Sequence, residues 1–245
     1  MKWLTLIMVV LLLIMIKYQT IASKMKHHEF KPDILVTPCG FYGIYNLGIC
    51  HYVKNNFDLT DKKIAGLSSG SFNAFFLCLK EKKQERKLLK IVFRLNNTYS
   101  KNVLQYSNQL MNKMNTEFKI NDVNAEKLYI GLSHPNDLTF YNNFTEISQL
   151  SSCCIGSSFI PGITNKKIMY LYKNRYTLDG AIWYNHYKKH IDQNKTLIIS
   201  PKMFGRFNGN IVISILKNFQ LYQLYIIGYH DAKKNHDYFN KYFTG

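Results

Sequence analysis

The segment Gly66-Leu67-Ser68-Ser69-Gly70 is the most informative stretch of this chain, because it predicts a strand-turn-helix unit that presents a serine. It follows the short apolar piece Lys63-Ile64-Ala65, which predicts a strand, and precedes a run from Ser71 to Leu79, which predicts a helix. A serine with glycines two residues before and after it fits a strand-turn-helix nucleophile elbow, because the glycines allow a sharp turn that presents the serine oxygen. The sequence therefore predicts Ser68 as a nucleophile, with Gly66 and Gly70 shaping the elbow.

Further strands and helices alternate along the chain. Apolar patterning predicts strands at residues 34–36, 128–132 and 196–200, and helices at residues 41–53, 78–95 and 211–228. This alternation indicates an α/β layered fold with a central, mostly parallel sheet flanked by helices. Because sites in such folds lie beyond the carboxyl ends of strands, the elbow is expected at one of these ends.

Composition limits the class of partner. The chain has 245 residues, five cysteines and a net charge of +17. The length suits one domain, and the charge predicts an anionic partner or a lysine-rich soluble surface. No zinc finger, RNA-recognition signature or long arginine tract occurs, so an anionic bilayer is the predicted partner and nucleic acid is not. The cysteine spacing predicts buried thiols and neither a disulfide framework nor a metal site.

The amino terminus predicts membrane association. Residues 1–22 are predicted as a hydrophobic anchor or a signal segment, residues 23–32 as a polar linker, and residues 33–245 as the domain. Lysines after the apolar run favour an uncleaved anchor with a cytoplasmic domain, whereas three sequons, at Asn96, Asn143 and Asn194, favour the opposite side. A cleaved segment would give a secreted protein, so the side of the membrane stays open.

Two further motifs carry chemistry. The stretch Thr37-Pro38-Cys39-Gly40-Phe41-Tyr42-Gly43 follows a predicted strand and opens a predicted helix. Unpaired backbone N–H groups at such a turn are suited to an acyl-transfer oxyanion. Downstream, apolar residues flank Asp179-Gly180, which predicts an acid near the protein wall and not at a solvated loop tip.

In this order the motifs resemble the patatin-like phospholipase family, particularly the animal branch that includes adipose triglyceride lipase. The resemblance covers residues from about 33 to 240. It rests on five motifs: Cys39-Gly40-Phe41 with Gly43, Tyr45 and Gly48; the elbow; Ser158-Phe159-Ile160-Pro161; Asp179-Gly180-Ala181; and Gly228-Tyr229-His230-Asp231-Ala232.

The resemblance implies a patatin-like layered fold and a serine-aspartate dyad that uses no histidine, metal or cofactor. Ser68 would be the nucleophile, Asp179 its base, and Gly180 part of the acid's motif. The oxyanion hole would come from Cys39, Gly40, Phe41 and Gly43. The substrate would be a membrane lipid, either a phospholipid or an acylglycerol. Since a carboxylate is a weak base for an alcohol, Asp179 must be partly desolvated.

Two alternatives stay open. Pro38 stands where the family has glycine, and it lacks an N–H group, so the chain could be an inactive lipid-binding or membrane-binding protein on the same fold. A conventional Ser-Asp-His triad is also available, because four histidines follow the acid: His186, His190, His230 and His236.

Overall fold

The computed structural model describes residues 30–99, 103–164, 169–207 and 221–243. The predicted anchor, residues 1–22, lies outside this part of the chain. Seven strands are present in the described residues: β1 (Ile34–Val36), β2 (Ile64–Leu67), β3 (Leu128–Ser133), β4 (Leu138–Tyr141), β5 (Tyr170–Tyr172), β6 (Arg175–Thr177) and β7 (Leu197–Ile199).

Five of these strands form the central sheet, in the order β4-β3-β2-β1-β7. Strand β1 pairs in parallel with β2 and β7, β2 pairs in parallel with β3, and β4 is antiparallel to β3. The α/β fold with a mostly parallel sheet is thereby confirmed. The parallel strands end together at Val36, Leu67, Ser133 and Ile199, so the segments that follow them share one edge of the sheet.

The described residues contain eight α-helices: α1 (Gly43–Asn56), α2 (Ser69–Leu77), α3 (Lys82–Tyr99), α4 (Val103–Glu117), α5 (Ile147–Ser157), α6 (Tyr184–Lys188), α7 (Leu221–Lys234) and α8 (His236–Phe243). Helix α3 begins four residues later than predicted, because Leu79 forms a β-bridge with Val123 that keeps the chain extended there. Residues 211–220 of the last predicted helix lie outside the described residues, and α7 continues to Lys234 beyond the predicted end.

The two faces of the sheet are covered unequally. Alternate residues of β1 point to opposite sides: Ile34 and Val36 join the large core formed with the longer helices, whereas Leu35 joins a smaller cluster with Trp183 and Tyr187. Phe30, from the predicted linker, stacks on Tyr129 at a centroid distance of 4.2 Å and packs against the smaller cluster. The folded domain therefore includes the end of that linker.

Helices α1 and α7 cross at two of the motif glycines. A Cβ atom on Gly48 would lie 2.1 Å from the carbonyl oxygen of Tyr225, and one on Gly228 would lie 2.0 Å from that of Tyr45. The Tyr45 hydroxyl donates a 2.7 Å hydrogen bond to Asp231 Oδ2. The first and last predicted motifs thus contact each other and fix α7 against the helix that follows the Cys39-Gly40-Phe41 turn.

Candidate active site

Ser68 occupies the sharp turn between β2 and α2. Its backbone has φ 53° and ψ −130°, and helix α2 begins at the next residue. A positive φ is strained for a residue with a side chain, and such strain in native proteins concentrates at functional sites. The predicted elbow is therefore present in geometry as well as in sequence.

Both elbow glycines stand where a side chain would meet backbone. A Cβ atom on Gly66 would lie 2.3 Å from the carbonyl oxygen of Gly70, and one on Gly70 would lie 2.3 Å from that of Val36. These approaches hold the elbow against the end of β1. The spacing of the motif thus reflects close contact between β1, β2 and α2.

Asp179 lies within hydrogen-bonding distance of Ser68, although 111 residues separate them in the chain. The Ser68 hydroxyl donates to Asp179 Oδ2 at 2.8 Å, and the Ala181 N–H donates to Asp179 Oδ1 at 2.8 Å. The acid is carried to this position by a β-bridge between Leu178 and Ser133, at the carboxyl end of β3. The structure therefore brings the two predicted catalytic side chains together.

The surroundings of Asp179 favour its neutral form. Burial raises the pKa of this carboxyl from 3.8 to about 6, against two smaller effects that lower it, the hydrogen bonds from Ala181 and Ser68. A carboxylate with a raised pKa is a stronger base than an exposed one. Asp179 therefore has the partial desolvation that the resemblance implies for a base at this position.

Ser157, at the end of α5, supports the dyad and was missed by the sequence analysis. Its buried hydroxyl accepts the Ser68 N–H at 2.8 Å and donates to the carbonyl oxygen of Gly131 at 2.7 Å. Its own carbonyl oxygen accepts the Gly180 N–H at 2.7 Å. Ser157 thus links Ser68 to the loop that carries Asp179. The only sequence signal is its place just before the Ser158-Phe159-Ile160-Pro161 motif.

The turn after β1 lies beside the elbow. Gly40 has φ 55°, and with Phe41 and Tyr42 it forms a single 3-10 turn that leads into α1. Within the described residues, the backbone N–H groups of Gly40, Phe41 and Ser69 donate no hydrogen bond. All three residues line a pocket with Ser68 and Asp179. Free N–H groups beside a serine hydroxyl are the kind of donor that an acyl-transfer oxyanion requires.

Cys39 was predicted to contribute to an oxyanion hole, but its N–H already has a hydrogen-bond partner. Its N–H is donated to Ser69 Oγ at 3.2 Å, and its thiol contacts the same oxygen at 3.3 Å. The Asn46 side chain donates to the sulfur at 3.2 Å, and burial raises the thiol pKa to about 12. Cys39 therefore anchors the turn to α2, while Gly43 closes the turn by donating its N–H to Gly40 and lines the pocket.

The pocket is an apolar cavity of about 130 Å³. The dyad and the free N–H groups lie along one part of its wall. The rest of the wall comes mainly from apolar side chains of α1, α2, α3 and α4, among them Ile44, Phe72, Leu88, Val92 and Leu110. A dry cavity of about 150 Å³ is enough to bind benzene, so this one has room for a short hydrocarbon group.

The four histidines of the triad alternative lie elsewhere. The hydrogen bonds of Asp179 within the described residues go to Ser68 and Ala181, and no histidine lines the pocket. His236 contacts the Tyr52 hydroxyl at 2.8 Å, His186 pairs with His190, and His230 is exposed on α7. Within the described residues, Ser68 and Asp179 therefore form a hydrogen-bonded pair that has no histidine partner.

The comparisons with known proteins add no assignment. The sequence matches no protein-family model and no curated protein. The described part of the chain contains no group of three or more histidine, cysteine or acidic residues suited to a metal ion, and its five cysteines are buried free thiols. None of the described helices has both the length and the apolar character that a bilayer span requires.

Proposed function

We propose that this protein is a serine lipid acyl hydrolase of the patatin-like kind, with Ser68 as nucleophile and Asp179 as base. One observation carries the proposal: the Ser68 hydroxyl, held at a strained elbow, donates to a partly buried carboxylate at 2.8 Å and opens onto an apolar pocket. Strain, desolvation and a matched proton acceptor in one pocket are the properties expected of an activated nucleophile.

The first half of the reaction forms an acyl-enzyme. Asp179 takes the hydroxyl proton as Ser68 Oγ attacks the carbonyl carbon of the ester, and the carbonyl oxygen becomes an oxyanion. The free N–H groups of Gly40, Phe41 and Ser69 are the donors available to this oxyanion. The tetrahedral intermediate collapses, the C–O bond to the alcohol breaks, and the alcohol leaves with the proton held by Asp179.

The second half repeats this chemistry with water. Asp179 takes a proton from a water molecule that attacks the acyl carbon, and the carboxylic acid leaves as Ser68 Oγ recovers its proton. The apolar wall suits the part of the acyl group next to the ester carbonyl, which it can bury without hydrogen bonds. A lipid ester, either a phospholipid or an acylglycerol, supplies both the apolar acyl group and the ester carbonyl.

Pro38 does not remove the donors this mechanism uses. Proline cannot donate from its own nitrogen, but Pro38 is buried, and the free N–H groups come later in the turn and from the first residue of α2. Pro38 raised the alternative of an inactive lipid-binding protein. The labelling experiment below decides between that alternative and an active enzyme.

The experiment is covalent labelling of the full-length protein with a fluorophosphonate ester. Wild type should be labelled and Ser68→Ala should not, whereas Ser69→Ala should still be labelled, although more slowly, because Ser69 is not the nucleophile but holds the turn that carries the donors. Hydrolysis of a soluble short-chain ester and of vesicle lipids then identifies the substrate class. A folded wild type that is not labelled, with or without vesicles, would contradict the proposal and favour the inactive lipid-binding protein.

A further inference from the structure

The hairpin formed by β5 and β6 carries an exposed apolar face. Met169, Leu171 and Tyr176 are 53%, 58% and 51% exposed, and they are three of the five large apolar side chains most exposed in the described residues. Leu171 and Tyr176 are direct partners across the hairpin, so they lie on the same face. Exposed apolar residues that lie together on one face are a feature of interaction sites.

The opposite face of the hairpin is fixed to the domain. The Thr177 hydroxyl donates to the carbonyl oxygen of Gly156 at 3.1 Å, the rings of Tyr170 and Phe159 are 5.7 Å apart, and the ring of Tyr172 lies 5.0 Å from that of Tyr141. The exposed residues are therefore held by a firm support, and they do not belong to a loose loop.

The hairpin tip is basic and tightly turned. Lys173 and Asn174 both have positive φ, as a two-residue hairpin turn requires. Lys173 is exposed, and Arg175 is exposed although it pairs with Asp137 at 2.7 Å. No acidic residue occurs in the sequence between Glu146 and Asp179. An apolar face with basic and tyrosine side chains at its border matches the interface of an anionic bilayer.

The hairpin also lies next to the site in the chain. Thr164 lines the pocket before the hairpin, and Asp179 lines it two residues after β6. The segments on both sides of the hairpin therefore contribute to the wall of the pocket.

We propose that the β5–β6 hairpin is the element with which this protein enters the interface of an anionic lipid bilayer. The reason for such an element rests on the proposed function, since a lipid ester is reached at a membrane surface. The binding itself is tested without any catalysis.

The test uses the full chain with a local probe, because residues 1–22 could bind membranes by themselves. Leu171→Cys is labelled with an environment-sensitive thiol fluorophore, and Tyr222→Cys, at a tyrosine that is 59% exposed on α7, is the matched control. The five native cysteines are buried, so the introduced thiol takes the label.

With vesicles of phosphatidylcholine and phosphatidylserine, the emission at position 171 should shift to the blue, whereas that at position 222 should not. The shift should be smaller with phosphatidylcholine alone. No shift at position 171 with the mixed vesicles would overturn the proposal, and an equal shift with phosphatidylcholine alone would overturn its anionic part. A shift that grows with protein concentration without vesicles would identify a second copy of the chain as the partner instead.

A kinetic test separates this inference from the proposed function. The double variant Leu171→Asp/Tyr176→Asp should lower hydrolysis of vesicle lipid about tenfold, because two apolar anchors are lost, and leave hydrolysis of a soluble short-chain ester unchanged. Tyr222→Asp is the control. If the wild type hydrolyses neither substrate, the proposed function fails while the probe result still decides the inference. Unchanged vesicle hydrolysis in the double variant would contradict the inference alone.

Discussion

Two carboxylates that are shielded from solvent, Glu85 and Asp179, differ in their partners. Glu85, on α3, is 2% exposed and lies 3.5 Å from Lys54 and 3.2 Å from Lys82. Asp179 is partly buried and has for partners a hydroxyl and a backbone N–H, with no cation paired to it among the described residues. A buried carboxylate paired with cations stabilises the structure, whereas one without them has a raised pKa and is a stronger base once it is ionised. Under the proposed function, the difference separates an acid that stabilises the fold from an acid that reacts.

Lys54, which pairs with Glu85, joins three helices. Lys54, at the end of α1, donates to the carbonyl oxygens of Phe76, at 3.1 Å, of Leu77, at 2.7 Å, and of Leu79. It thereby satisfies the last carbonyls of α2, where a cation is favourable to the helix dipole, and its ion pair with Glu85 adds α3.

The largest expected effect on ester hydrolysis is that of removing the Ser68 hydroxyl. Ser68→Ala should reduce ester hydrolysis by about 10⁴-fold or more, because the nucleophile is removed. The free energy of unfolding should stay within about 1 kcal/mol of wild type, since one hydrogen bond is lost. Steady-state kinetics measures the hydrolysis rate, and chemical denaturation measures the free energy of unfolding. Ser148→Ala, at an exposed serine of α5, is the control. Retained turnover in the folded variant would show that another residue is the nucleophile.

Asp179→Asn should lower kcat by roughly 10²- to 10⁴-fold, because the proton acceptor is lost while the shape of the site is kept. Loss of an ion pair usually lowers the free energy of unfolding, whereas this variant should not lower it. The folded pKa of about 6 exceeds the unfolded value of 3.8, so this group costs stability as pH rises between these values. Denaturation at pH 7 should therefore show the variant to be as stable as wild type or more stable. A clear loss of stability would indicate a structural acid.

Lys54→Met, unlike Asp179→Asn, should lower stability. It leaves Glu85 buried with one of its cations missing and the end of α2 with unpaired carbonyls, so the free energy of unfolding should fall by about 3 kcal/mol. The double variant Lys54→Met/Glu85→Leu should lose less than the sum of the two single variants, as a double-mutant cycle would show. Strictly additive losses would mean that the pair is not coupled.

Ser69→Ala sharpens the comparison at the site itself. Ser69 Oγ holds the N–H of Cys39, so its loss should loosen the turn that carries the Gly40 and Phe41 donors. We expect kcat to fall about tenfold with little change in KM, since the oxyanion exists in the transition state and not in the bound ester. An unchanged kcat would assign the Cys39–Ser69 contact to stability alone.

The features that could be predicted from the sequence are those encoded by residues close together in the chain. The alternation of strands and helices predicted the α/β fold, and the elbow, the turn at residues 37–43 and the Asp179-Gly180 pair are local motifs whose resemblance to a known family predicted the Ser68–Asp179 pair. The sequence could not place Ser157, because its link to Ser68 depends on where α5 ends relative to the sheet. The apolar wall was equally hidden, since Leu88, Val92 and Leu110 have ordinary helical spacing and acquire their role from the packing of α3 and α4 over the elbow.

Strands β5 and β6 were missed for a physical reason. Their outward residues, Leu171 and Tyr176, are apolar, so the hairpin lacks the polar-outside alternation by which a surface strand is recognised. The departure from that pattern is the feature on which the bilayer inference depends.

The central claim, that Asp179 activates Ser68 without a histidine, is tested most directly by the pH dependence of fluorophosphonate labelling. The labelling rate of wild type should rise with pH through a midpoint of about 6 and then level off, as Asp179 loses its proton. Asp179→Asn should abolish this rise and label slowly at every pH, while alanine at His186, His190, His230 or His236 should leave it unchanged. A rate that is the same in Asp179→Asn, or a rise that one of the histidine variants removes, would contradict the account.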